Sequence, residues 1–200
     1  MSSAGSASID TRFFAPRTPV AIVDIGATAE ALLVRALLES LGATVILHQP
    51  GTPEDFLLVM GQGEAAPPTT VLCGHGNDGG LIFGDYAPSI DTSSLTQGRM
   101  APAAVATRVR LPGRVVVSTA CMSGTDAWGQ AFLAGGVIAY AAPDGYPDGA
   151  DVPLFLHHLF HQLIAHKAPI ETAWRHAAAY DAAARLFVLH TPETTLRLPP

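Results

Sequence analysis

A histidine and a cysteine each follow an apolar run of the sequence, at the point where the run ends. His75 stands in GHG after the run TVLC, and Cys121 stands in TACMSG after the run VVVS, 46 positions further on. A thiolate is a good nucleophile, and a histidine within reach of it can take up and return a proton. This pair predicts hydrolysis through a thiol, with Cys121 as the nucleophile and His75 as the general acid and base.

The backbone around both residues fits the same chemistry. Glycines on either side of His75 let a substrate approach closely and let an amide turn toward a reacting carbonyl. The N–H groups of Gly76 and Cys121 are candidates for an oxyanion hole. We also expect a helix to begin beside Cys121 and to lower the pKa of its thiol, because a helix N-terminus stabilises a thiolate.

Strand and helix patterns alternate through the first 143 residues. Strands are predicted over Pro19–Gly26, Ala43–Gln49, Thr69–Gly76, Gly113–Ala120 and Gly135–Pro143, and helices over 27–42, Pro53–Gly63 and Asp126–Leu133. This alternation favours an α/β fold, a three-layer α/β/α sandwich with a mostly parallel sheet of about six strands. Ligands of such sheets bind beyond the carboxyl ends of the strands, where His75 and Cys121 stand.

The rest of the chain is less regular. Residues 77–112 are rich in turn-forming residues, and only Val105–Leu111 alternates like a strand. Helices are predicted over Asp151–Ala165 and Pro169–Leu186, whereas the tail from Phe187 shows no clear pattern. We expect residues 1–17 to be a flexible N-terminal segment and residues 18–200 to form a single domain.

Composition excludes several classes of partner. The net charge is −6 and the chain has no cluster of Lys or Arg, so neither nucleic acid nor an anionic membrane is an expected partner. No apolar run reaches the roughly 18 residues of a membrane span, and the N-terminus lacks a secretory signal, which predicts a cytoplasmic protein. We assign no cofactor and no metal. The stretch DIGAT, from Asp24 to Thr28, lacks the G-x-G-x-x-G and Walker A spacing of a phosphate-binding loop. The pattern leaves the oligomeric state open.

With GHG ending one apolar run and TACMSG ending another, the sequence resembles the caspase-like cysteine peptidases (clan CD, caspase–hemoglobinase fold). STACMSG is most similar to the S-A-C-x-T-G of CHAT-domain proteins, and HGNDGGLIFGD resembles the glycine-rich continuation after the family histidine. The resemblance covers about Val20 to Ala141. It implies a caspase-like fold and cleavage of a peptide or protein substrate through an acyl-enzyme thioester, with His75 and Cys121 as the dyad and the Gly76 amide in the oxyanion hole.

The resemblance carries no substrate specificity with it. Metacaspases and clostripain-like enzymes have an Asp two residues before the cysteine, where this chain has Thr119. Candidate substrate-binding residues are instead four aspartates near the predicted crevice. Those in the loop after the fifth strand could favour a cationic group, although Asp-Gly pairs are also common in turns. These aspartates are Asp78, Asp126, Asp144 and Asp148.

Two other functions fit the same residues. One is a glutaminase- or DJ-1-like thiol hydrolase, in which the histidine follows the cysteine in the chain, so that His157 or His190 would serve. The other is a caspase-like scaffold or ligand-binding domain without catalysis, in which Cys121 would have an ordinary thiol pKa near 8.5.

Other cysteine and histidine positions favour structural roles. Cys73 lies inside an apolar run, which predicts core packing. Four histidines lie between residues 157 and 166 without H-E-x-x-H spacing, so a solvated helix face is favoured over a metal site. They are His157, His158, His161 and His166.

Overall fold

Strands and helices alternate along the chain as the sequence patterns predict. The structure is a computed structural model that describes residues 16–199. The strands are β1 (Thr18–Ile25), β2 (Ala43–His48), β3 (Thr69–Asn77), β4 (Gly80–Ile82), β5 (Arg99–Met100), β6 (Val115–Ser118), β7 (Ala139–Pro143), β8 (Phe187–His190) and β9 (Thr195–Leu196). The α-helices are α1 (Thr28–Ser40), α2 (Pro53–Met60), α3 (Pro102–Ala106), α4 (Asp126–Ala134), α5 (Val152–Phe160) and α6 (Ile170–Ala178).

The central sheet has the strand order β2-β1-β3-β6-β7-β8-β9. Its first five strands are parallel, and β8 and β9 are antiparallel to their neighbours. Apolar side chains of α1, α5 and α6 pack on one face, and those of α2, α3 and α4 pack on the other. The expected three-layer α/β/α sandwich with a mostly parallel sheet is confirmed, and the strands are apolar because both faces are covered.

Strand β3 is longer than its neighbours, and this length positions the site. Its first part pairs with β1 and β6 inside the sheet, whereas His75 to Asn77 pair with β4 in a hairpin beyond it. Strand β6 ends earlier, at Ser118, and passes into a turn that carries Cys121. Both residues therefore lie at the carboxyl edge of the parallel sheet.

Two local predictions were wrong. Val105–Leu111 is not a strand. Val105 belongs to α3, and the next residues bond to other loops and helix ends instead of to a strand: the N–H of Arg110 donates to the carbonyl of Met60, and the N–H of Leu111 donates to that of Gly135. The helix predicted over Pro169–Leu186 ends at Ala178, and the Asp181 carboxylate accepts the N–H of Ala184 to start a short 3₁₀ turn. The unassigned tail supplies β8 and β9, which extend the sheet past β7.

The segment 77–112 also contains regular structure that its composition does not indicate, namely β4, β5 and α3. The helix predicted over Asp151–Ala165 is present as α5 followed by one π-helical turn from His161 to Ala165. Residues 1–15 lie outside the described part of the chain, and with them most of the predicted N-terminal segment. Within residues 16–199, no helix combines the length and the apolar character needed to cross a membrane.

Candidate active site

The parallel pairing of β3 with β6 aligns the histidine with the cysteine. Thr69 pairs with Val115 and the pairing continues to Leu72 with Ser118, so partners are 46 positions apart. His75 and Cys121 have the same separation and follow the last paired residues of the two neighbouring strands. The His75 side chain is exposed and that of Cys121 is partly buried, so a substrate can reach both.

The segments that follow β3 and β6 are in direct contact at Gly76. A Cβ atom added there would overlap the carbonyl oxygen of Cys121 and lie 3.2 Å from the Cβ of Ala120. Only glycine fits this position, which explains the second glycine of GHG in steric terms. The contact brings the residue next to His75 against the backbone of the candidate nucleophile.

The hairpin geometry also sets the direction of the Gly76 amide. Asn77 and Gly80 flank a two-residue turn and form its closing hydrogen-bonded pair, so Gly76 and Leu81 form the next, non-hydrogen-bonded pair. The N–H of Gly76 therefore points away from β4. It points to the β6 side, where the N–H of Gly74 donates to Oγ1 of Thr119 (3.3 Å).

Hydrogen bonds from buried hydroxyl groups hold the turn that carries Cys121. Oγ of Ser123 donates to the carbonyl of Ala120 (2.6 Å), and the hydroxyl of Tyr140 donates to the carbonyl of Ser123 (2.8 Å). Ser123 and Tyr140 are both buried, so these bonds lie away from solvent. These bonds fix the conformation of the turn without the help of a ligand.

The same turn is bonded to the segment that follows β7. Met122 has a left-handed backbone with φ of 59°, which is uncommon for a residue with a side chain. Its N–H donates to the carbonyl of Gly145 (3.0 Å), and the N–H of Gly124 donates to the carbonyl of Pro143 (2.8 Å). These two bonds hold the unusual conformation in place and link the turn to residues 143–145. We call residues 120–124 the nucleophile turn, after the candidate nucleophile that it carries.

The expected lowering of the Cys121 pKa is wrong. Helix α4 begins at Asp126, with Thr125 as its cap, so four residues separate the thiol from the helix. Burial raises the pKa of Cys121, its own backbone amide opposes this, and the charge of Glu30 adds to the rise. The thiol therefore rests in its protonated form at neutral pH, and a base must remove the proton.

Glu30 is a site residue that the sequence analysis did not single out. It lies in the first turn of α1, and its half-buried carboxylate accepts a hydrogen bond from Oγ1 of Thr119, two residues before the cysteine. Burial raises the pKa of Glu30, whereas hydrogen bonds from Thr119 and Cys73 and the charge of His75 lower it. The carboxylate thus interacts with groups on both strand ends.

No short motif marks Glu30, since an acidic residue in the first turn of a helix is ordinary. The one usable signal is its place in the chain. It follows the carboxyl end of a buried parallel strand, the edge at which ligands bind in such folds.

Cys73 packs in the core, as predicted. Its side chain is fully buried in the layer formed with α1, α5 and α6, and burial raises the pKa of its thiol. Both cysteines are free thiols in the structure.

The four candidate aspartates do not share one environment. Asp78 is exposed at the tip of the β3–β4 hairpin and lines a cavity of about 500 Å³ together with Arg99 and Tyr146. Asp126 and Asp144 both bind Arg197, the former at 3.0 Å. The carboxylate of Asp148 accepts the N–H of Ala150 (2.9 Å) within a turn.

The histidines between residues 157 and 166 lie near one another. His157 and His166 are exposed and His158 and His161 are partly buried, with a ring-centroid separation of 4.7 Å between His161 and His166. Among residues 16–199, no three His, Cys, Asp or Glu side chains are grouped so that they could hold a metal ion.

His190 occupies a buried position, with both ring nitrogens engaged. Nε2 lies 2.8 Å from the carbonyl of Gly124, so it must carry the proton and donate. Nδ1 then accepts from Oγ1 of Thr195 (3.1 Å). The ring therefore binds the backbone of the nucleophile turn rather than the thiol, which removes the structural support for a mechanism with His190 as the base.

Comparison with known proteins places the fold. No model of a known protein family matches the sequence, nor does a curated protein. Solved structures do match, among them the Arg-specific cysteine proteinase gingipain R (TM-score 0.51, 14% identity, 84% of this chain and 43% of that chain). The complex of the pro- and mature domains of this gingipain, RgpB of Porphyromonas gingivalis, gives a TM-score of 0.52 at 14% identity, with 84% and 44% of the two chains covered.

The separase–securin complex of Saccharomyces cerevisiae is also similar, with a TM-score of 0.50 at 8% identity over 93% of this chain and 13% of that one. These likenesses show a caspase-like α/β fold. The chain spans less than half of the gingipain chain it matches.

Proposed function

We propose that this chain is a caspase-like cysteine peptidase that hydrolyses peptide bonds with His75 and Cys121. The observation that supports the proposal is the contact of Gly76 with the Cys121 backbone, together with a strand register in which His75 and Cys121 each stand three residues past the last paired residues of β3 and β6. The fold shared with a cysteine proteinase supports the same reaction class. The similarity to CHAT-domain proteins stays a prediction, and it rests on the sequence STACMSG alone.

The reaction follows from these positions. His75 takes the proton from Cys121 as Sγ attacks the substrate carbonyl, and the resulting oxyanion accepts hydrogen bonds from the amides of Gly76 and Cys121. His75 then gives the proton to the leaving amine as the C–N bond breaks. In the second half, water attacks the thioester and passes a proton to His75, and the C–S bond breaks as Cys121 recovers that proton.

The raised thiol pKa gives His75 a larger role than in an enzyme with a preformed thiolate. Because Cys121 rests protonated, proton transfer to His75 has to accompany attack. An exposed imidazole beside a partly buried thiol is suited to this, since it also meets the water of the second step.

The cavity of about 500 Å³ beside the hairpin is the proposed place for a substrate residue. It lies between Asp78 and Gly79 at the hairpin tip and Tyr146, which follows the residue bonded to Met122. Its lining is mainly polar, which suits a peptide with hydrophilic side chains. In this scheme Asp78 contacts substrate directly, while Asp126 and Asp144 act through Arg197.

Substitution of the dyad tests the proposal. Fluorescent acyloxymethyl ketone peptides with varied side chains should label Cys121 in the parent protein, and Cys121→Ala should abolish labelling. His75→Ala should lower the labelling rate and the kcat/KM for a cleaved peptide by about 10²–10⁴-fold. His166→Ala, which removes an exposed histidine elsewhere, is the matched control and should change neither.

A failure of all peptides to label a folded protein would favour the non-catalytic scaffold. Labelling that survives His75→Ala unchanged would exclude the dyad. We also propose a cytoplasmic location, supported by two free thiols rather than a disulfide.

A further inference from the structure

A second cavity, of about 250 Å³, lies at the C-terminal segment and shares no lining residue with the cavity proposed for a substrate residue. Four apolar residues line it: Ala182, Leu186, Val188 and Leu198. The charged residues in its lining are Arg185, Arg197 and Asp144. An apolar chamber with a few charged groups is the usual form of a small-molecule site.

The charges of this lining favour an anion. Arg197 is held by Asp144 and Asp126, whereas Arg185 has no carboxylate within ion-pair distance among residues 16–199. An unpaired guanidinium beside apolar walls can bind a carboxylate through two parallel hydrogen bonds. The walls would then cover a hydrocarbon chain.

The cavity is connected to the nucleophile turn by a short path. The N–H of Asp144 donates to the carbonyl of Leu186 (2.8 Å), and both residues line the cavity. The carbonyl of the next residue, Gly145, accepts the N–H of Met122 (3.0 Å), and Met122 directly follows Cys121 in the chain. A ligand that competes with Asp144 for Arg197 would loosen the segment on which the turn rests.

We propose that this cavity binds a small apolar carboxylic acid, with Arg185 holding the carboxylate, and that binding lowers the reactivity of Cys121. The hydrocarbon chain packs on Leu186, Val188 and Leu198. The carboxylate of the ligand also draws Arg197 away from Asp144. The hydrogen bond from the N–H of Met122 to the carbonyl of Gly145 is thereby weakened.

Calorimetric titration of the full chain with decanoate tests the site. Decanoate should bind with one molecule per chain and at least tenfold more tightly than decanol, because hydrogen bonds between two charged groups are stronger than those to a neutral hydroxyl. Decylamine should bind more weakly than either. Arg185→Gln should remove the advantage of decanoate over decanol, whereas Arg175→Gln, an exposed arginine outside the cavity, should leave it unchanged.

Ala182→Phe fills the cavity from an exposed position and should block both ligands without disturbing the core. Equal affinity for decanoate and decanol, or binding untouched by both Arg185→Gln and Ala182→Phe, would overturn the site. The second readout is alkylation of Cys121 by iodoacetamide, which saturating decanoate should slow several-fold. An unchanged rate on the occupied protein would contradict the coupling. Neither measurement needs peptidase activity, so a failed dyad and a failed site are distinguishable.

Discussion

Glu30 is the residue whose ionisation has the widest effect on the site. Its carboxylate lies against Thr119, and burial raises its pKa above the ordinary value of 4.5. A carboxyl with a raised pKa in the folded state favours folding while it is protonated. That stability is fully present below about pH 4.5 and is lost as the pH rises through the folded-state pKa.

Glu30→Gln should therefore change stability in a pH-dependent way. Relative to the parent protein, the free energy of unfolding should rise at pH 7.5 and stay nearly unchanged at pH 4, because glutamine cannot ionise. Urea unfolding at the two pH values measures this. Glu171→Gln, an exposed acid in the first turn of α6, is the control and should not produce the difference. A loss of stability that is equal at both pH values would contradict the assignment of burial as the cause.

The same substitution should lower the pKa of Cys121. The negative charge of Glu30 contributes to the raised thiol pKa, so its removal favours the thiolate. The midpoint of the pH–rate curve for iodoacetamide labelling should move to lower pH in Glu30→Gln, and labelling at pH 7.5 should be faster. A midpoint that stays in place would mean that burial alone sets the thiol pKa.

The alignment of two strand ends sets the geometry at the scale of elements. Gly76→Ala places a methyl group on the carbonyl of Cys121, so the ends of β3 and β6 must separate. We expect a loss of about 1–3 kcal/mol in unfolding free energy and a fall of at least tenfold in Cys121 labelling by a peptide probe. Gly149→Ala is the control, because no atom lies within 4 Å of the added methyl group. A Gly76→Ala protein labelled at the parent rate would show that this contact is not part of the site.

The elements that the sequence predicts well are those whose pattern repeats over several residues. The five parallel strands are apolar because helices cover both faces, and runs such as PVAIVDIG report that burial directly. Strand β8 escapes prediction because its four residues, Phe187 to His190, are too few for a pattern and include a buried histidine. The proposed dyad rests on two glycine-rich strand ends that are visible in the sequence, whereas the bond from Thr119 to Glu30 depends on tertiary packing across 89 positions.

At the scale of the whole molecule, Arg197 joins distant parts of the chain. It binds Asp126 at the start of α4 and Asp144 after β7, and its side chain is 44% exposed. Exposed ion pairs contribute only about 0–1 kcal/mol, so Arg197→Gln should change the unfolding free energy little. Cys121 labelling should nevertheless slow several-fold, because both carboxylates flank the nucleophile turn. Arg175→Gln should have neither effect. A large loss of unfolding free energy together with the slower labelling would indicate a purely structural role.

The sequence pattern predicts the fold class but few of the contacts between residues that are far apart in the chain. The alternation of strands and helices indicates the three layers, since few other architectures satisfy it. The aspartates at positions 126 and 144 look like a pair of free acids in the sequence. Their common partner, Arg197, lies more than 50 positions away from either, and only the folded chain brings the three together.

The pairing of β3 with β6 matters more to the site than the number of residues between GHG and TACMSG. The register fixes where His75 and Cys121 lie, so the number of residues between them is free to vary wherever the intervening chain leaves the sheet. A Gly-Ser insertion between the exposed residues Pro88 and Ser89 should leave peptide labelling of Cys121 intact. Distant relatives are better sought by the two strand ends in order than by a spacing of 46, because insertions in this segment would hide the spacing and leave the site unchanged.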